Sequence, residues 1–228
     1  MESITKYLLI SHVAAGSISL VLFWLPVVTK KGGTIHNRIG TIYMYCMWIV
    51  VITAFLLSLK NLYVGNYISA GFLGFLTVLT SAPLWYAKAI LNHKKGISRG
   101  YFNWFKTLHM TIFLSGVGLV IWAVLLKVQG AAILMLVFGI LGMTAFTDAF
   151  GSFEKIQSRE KWIVTHLRGM LSTGIAAYTA FFAFGGRQFF EHILTDQWMV
   201  IPWVLPSIIG VFGIRYWRLR YTPKPKSA

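Results

Sequence analysis

The chain of 228 residues is 57% hydrophobic and 12% charged, with a mean hydropathy of +0.67. A soluble domain carries about 25% charge, so this composition excludes a soluble protein with a large core. The formal charge of +15 would suggest nucleic acid in a soluble chain. In a chain this apolar it reads as basic loops gathered on one face of a membrane.

Apolar runs of about 18 or more residues with few charges read as transmembrane helices. Seven divide the sequence, at 7–29, 39–59, 62–87, 107–126, 128–147, 162–186 and 198–214. The sixth carries Arg168 near its start, and the seventh is short and ends in basic residues that can snorkel. Lipid admits only helices and closed barrels as spanning structures. These runs lack the alternation of barrel strands, so the expected fold is all-α, a bundle of seven helices. One domain over 1–221 is expected, with a disordered basic tail at 222–228 that contains Pro223 and Pro225. The first run is longer than a signal-peptide h-region and ends without a small-residue cleavage site, so it reads as an uncleaved span. The single cysteine, Cys46, allows no internal disulfide.

Charge alternates between the runs. Lys30, Lys31 and Arg38 fill the first gap. Lys88, Lys94, Lys95, Arg99 and Lys106 fill the third. Lys155, Arg159 and Lys161, with Arg168 beyond, mark the fifth, and Arg215, Arg218, Arg220, Lys224 and Lys226 the tail. Only Lys6, Lys60, Lys127 and Arg187 of the 21 Lys and Arg residues fall on the other side. The positive-inside rule then predicts an outside N-terminus and a cytoplasmic C-terminus in a bacterial inner membrane. Trp24, Trp85, Trp104, Trp162, Trp198 and Trp217 sit near run ends, as an aromatic belt requires.

Ionisable residues at membrane depth point to function. His36, His109 and His166 each stand near the cytoplasmic start of a run, and Asp148 closes the fifth run at the same end. At about 1.5 Å per residue, His109 and His166 share one depth, with His36 slightly nearer the surface. His12 lies alone near the outer end. Gly16, Gly40, Gly116 and Gly169 follow these histidines. Such residues either permit close helix packing or leave room for a flat cofactor beside an axial histidine.

The segment KKGGTIHNRIGTIYMY, at 30–45, carries His36 and Gly40. The segment KWIVTHLRGMLSTGIAAYTAFFAF, at 161–184, carries Trp162, His166, Met170 and the run Tyr178-Thr179-Ala180-Phe181. In this order the two segments resemble the paired signatures of the bacterial membrane family catalogued as domain of unknown function 2306. The resemblance implies a polytopic inner-membrane protein and singles out His36 and His166.

Three kinds of function stay open. A membrane cytochrome would hold one haem b between two histidines, His109 and His166 first and His36 as the substitute, with a quinone or another membrane subunit as partner. A zinc-dependent hydrolase would use His36, His109 and His166 with Asp148 as base or supporting ligand, although no HExxH motif is present. A noncatalytic membrane subunit or small transporter would use the histidines as interfacial anchors. The lipid bilayer is a partner in every case, and nucleic acid in none.

Overall fold

The computed structural model describes residues 2–126, 131–145, 159–186, 190, 192–194, 198 and 201–221. Among these residues the structure is helical, without strands. Helix α1 spans Glu2–Val28, α2 Thr34–Tyr63 and α3 Tyr67–Ala89, which a 3-10 turn at Ile90–His93 extends. Helix α4 spans Arg99–Leu126, α5 Ala131–Met143, α6 Arg159–Ala180 and α7 Ile201–Tyr221. A π-helical turn, Phe181–Gly185, continues α6. Asp148 and the 222–228 tail lie outside the described residues.

Four helices are long and apolar enough to cross a membrane: Glu2–Val28, Thr34–Tyr63, Tyr67–His93 and Arg99–Leu125. At about 1.5 Å per residue, each reaches about 40 Å, against a hydrocarbon core about 30 Å thick. Their surfaces suit lipid rather than water. In α1 only Ala15 and Ser19 are buried, and Val13, Val21 and Trp24 all project outward. A helix apolar on every side is satisfied where its surroundings are apolar too.

The break between α2 and α3 falls later than the apolar runs suggest. Residues 62–63 complete α2, and the turn lies at Val64, Gly65 and Asn66. Gly65 adopts φ +79°, a left-handed conformation that glycine takes without a Cβ clash. The Asn66 N–H donates to the Asn61 carbonyl at 2.9 Å, and the Gly65 N–H to the Leu62 carbonyl at 3.2 Å. These two bonds form a Schellman stop. The Asn66 side chain then accepts from the Ser69 N–H at 3.3 Å and starts α3. Helix α4 begins before its apolar run, because the Ser98 hydroxyl oxygen accepts from the Tyr101 N–H.

Helix α3 is central, packing on α2, α4 and α6, while α6 also carries α7 and touches α1. Apolar clusters fill these interfaces. Phe72 and Phe75 of α3 pack with Leu119 of α4 and Met135 and Phe138 of α5. Tyr43, Met47 and Val51 of α2 pack with Leu84 of α3.

Glycines set the closest approaches. A Cβ on Gly116 would lie 2.7 Å from the Gly139 carbonyl oxygen, and one on Gly139 2.9 Å from the Gly116 oxygen, so α4 and α5 meet backbone to backbone. A Cβ on Gly174 would lie 2.1 Å from the Phe23 ring, which joins α6 to α1. Overpacking of this kind costs about 1–3 kcal/mol. Gly174→Leu is therefore expected to lower the thermal midpoint of the detergent-purified protein. Gly118→Leu, where a new Cβ meets nothing within 4 Å, should leave it unchanged.

Candidate functional site

His12, His36, His109 and His166 share one chemical feature. Each has Nδ1 tied to a group that must accept. His36 Nδ1 lies 3.0 Å from the Pro26 carbonyl oxygen. His166 Nδ1 lies 2.7 Å from that of Ala87, and His109 Nδ1 2.9 Å from that of Phe105. A carbonyl oxygen cannot donate, so in all three rings Nδ1 carries the proton. At His12 the partner is the Thr53 hydroxyl, at 2.9 Å. Thr53 sends its own proton to the Ile49 or Val50 carbonyl, so it too accepts from the ring. His12 therefore pairs with a hydroxyl on α2.

In neutral His36 and His166 this tautomer leaves the Nε2 lone pair for a ligand, and metal-ligating histidines commonly make just such a second bond through the opposite nitrogen. His36 and His166 lie within electrostatic reach of each other, and Lys88 and Lys94 act on His166 as well. His109 is buried, stacked on the Phe105 ring at 3.9 Å and beside the Tyr86 ring at 5.2 Å. His109 and His166 thus meet α3 at the neighbouring residues Tyr86 and Ala87. Among the described residues, no group of three or more His, Cys, Asp or Glu side chains is placed to hold a metal ion. Asp148 lies outside them.

The glycines beside the histidines divide in two. A Cβ on Gly169 would meet Ala87 Cβ at 2.6 Å and the Pro83 carbonyl oxygen at 2.9 Å, so this glycine serves packing against α3. Gly116 likewise serves packing against α5. Gly40, one turn beyond His36, faces only Pro26 Cγ at 3.9 Å.

Basic residues from different gaps meet at this end. Lys31 Nζ donates to the Pro26 and Val27 carbonyls at 2.7 and 2.6 Å. It thereby satisfies the orphan acceptors at the end of α1, where a cation also suits the helix dipole. Burial holds its ammonium below the ordinary lysine pKa. The same ammonium lies 5.1 Å from the centre of the Trp217 ring of α7, and Lys94 Nζ lies 4.9 Å from that of Trp162 in α6. The first gap thus touches the end of α7, and the third gap touches the start of α6.

Hydroxyls complete the interhelical links. Thr173 donates to the Met170 carbonyl, so Tyr43 of α2 donates to Thr173 of α6 at 2.8 Å. Tyr178 of α6 donates to the Leu20 carbonyl at 2.9 Å and accepts from the Trp24 indole. The sequence gives no sign of these pairs, because their partners lie 130 to 158 positions apart.

No family model, curated protein or solved structure matches the chain.

Interhelical hydrogen bonds in membrane bundles are worth about 0.6 kcal/mol on average. Tyr43→Phe removes one of them and leaves Thr173 bonded to Met170. It should lower stability by about that amount in a denaturant titration. A loss of several kcal/mol would assign Tyr43 a larger part than this single bond.

Proposed function

We propose that this chain is a seven-crossing protein of the bacterial cytoplasmic membrane, of the family that its two signature segments resemble. In this reading it holds one haem b between His36 and His166. The carrying observation is the matched pair of tautomers on α2 and α6. Each ring gives its Nδ1 proton to a helix-end carbonyl, keeps Nε2 for a ligand and lies within electrostatic reach of the other. His36 and His166 would hold the haem iron through these two nitrogens. Gly169 offers no room for a macrocycle, so the space has to come from the side of Gly40. Bound haem would supply one-electron transfer, and the two Nδ1 bonds would fix the tautomers of the rings that hold it. The signature segments each contribute one member of the pair, which favours His36 with His166 over His109 with His166.

The test is the absorption spectrum of detergent-purified protein, oxidised and then reduced. A Soret band that shifts on reduction is expected, lost in both His36→Ala and His166→Ala and kept in Gly118→Ala, where a new Cβ meets nothing within 4 Å. Absence of a Soret band from protein made with haem supplied would end this reading. One observation favours a second reading, a noncatalytic membrane subunit. The same Nδ1 bonds tie α2 to the end of α1 and α6 to the end of α3, as anchors would.

The proposed orientation puts residues 30–33 and 94–98 in the cytoplasm and the turn at 64–66 outside. Alkaline phosphatase fused after Gly65 should be active, and after Gly32 or Gly96 inactive. The reverse pattern would invert the orientation.

A further inference from the structure

Trp162, in the first turn of α6, is anomalous. Its ring packs against the buried cluster of Tyr86, Ala87, Ile90, Tyr101 and Phe105. Its Nε1 is buried and has no hydrogen-bond partner among the described residues. An indole N–H only donates, and a buried donor left unpaired is rare enough to demand an explanation.

The surroundings say what kind of acceptor is missing. Lys94 Nζ stands 4.9 Å from the Trp162 ring centre. His166, one turn further along α6, lies within electrostatic reach of Lys88 and Lys94. The notch between the 3-10 turn and the start of α6 therefore combines an unpaired donor with clustered positive charge.

We propose that this notch binds a phosphate group, with the Trp162 indole N–H as its directional donor and Lys94 as its counter-charge. Lys88 adds to the local positive charge. Phosphate has the acceptor oxygens that the indole lacks, and charge-assisted bonds of this kind are the strong ones. Two sources share this chemistry: the headgroup of an anionic phospholipid, which basic pockets at helix ends attract, and a soluble phosphate. The inference does not rest on the haem reading, because it concerns the indole and the lysines.

The test uses the full chain in mild detergent, with native mass spectrometry against phosphatidylglycerol and phosphatidylcholine, and melting curves with inorganic phosphate alone. One phosphatidylglycerol should be retained in preference to phosphatidylcholine. Trp162→Phe keeps the ring and its contact with Lys94 but deletes the N–H, and should weaken retention about ten-fold. Lys94→Gln, at an exposed position, should weaken it too and supplies the answer if Trp162→Phe lowers stability. Lys60→Gln, at the far end of α2, should change nothing. Stabilisation by inorganic phosphate without lipid, lost in the same two variants, would support the notch with a soluble source. Equal retention of both lipids with no effect of phosphate would overturn the proposal. So would selective binding that survives both Trp162→Phe and Lys94→Gln.

Discussion

Lipid offers no hydrogen bonds, and that constraint orders most of what this structure does. A polar group in the hydrocarbon must find its partner within the protein. A hydroxyl that bonds its own helix has satisfied only its donor, and its oxygen can still accept. Thr53 and Thr173 show the pattern: each donates to a carbonyl of its own helix and accepts from another helix, from His12 and Tyr43. Intrahelical bonding thus fixes the direction of interhelical bonding. The same logic sets the histidine tautomers, because carbonyl acceptors leave Nδ1 no choice but to donate.

These contacts carry direction more than strength. Apolar burial is a weak force between helices already surrounded by lipid tails, so close packing assumes a larger share. Gly116 and Gly139 bring α4 and α5 into backbone contact, and Gly169 lets α6 settle on α3. The small residues after His109 and His166 therefore serve the bundle itself. A Cβ on Gly40, beside His36, would make only an ordinary contact with Pro26 of α1.

Much of this was legible in sequence, for identifiable reasons. Apolar length announced α1 to α4, because composition alone decides whether a segment tolerates lipid. The basic gaps were expected on one face, but the rings that Lys31 and Lys94 meet, Trp217 and Trp162, were not readable from them. The α2–α3 turn was misplaced by a few residues, because Leu62, Tyr63 and Val64 are apolar and hydropathy ignores a Gly-Asn stop. Partners such as Tyr43 with Thr173 were illegible, since helix order governs them and spacing does not. The unpaired indole of Trp162 was hidden for a related reason. A tryptophan near a run end looks ordinary until its N–H is seen to lack an acceptor among the described residues.

The seat of Phe23 against Gly174 has a consequence for how the chain can vary. The ring occupies the volume that any side chain at position 174 would need, so the two positions share one space. Growth at one must be matched by shrinkage at the other. In a lineage of such proteins the two should drift together, a large residue on α1 facing glycine on α6 or the reverse. A pairing of this kind would record the α1–α6 contact in sequences alone.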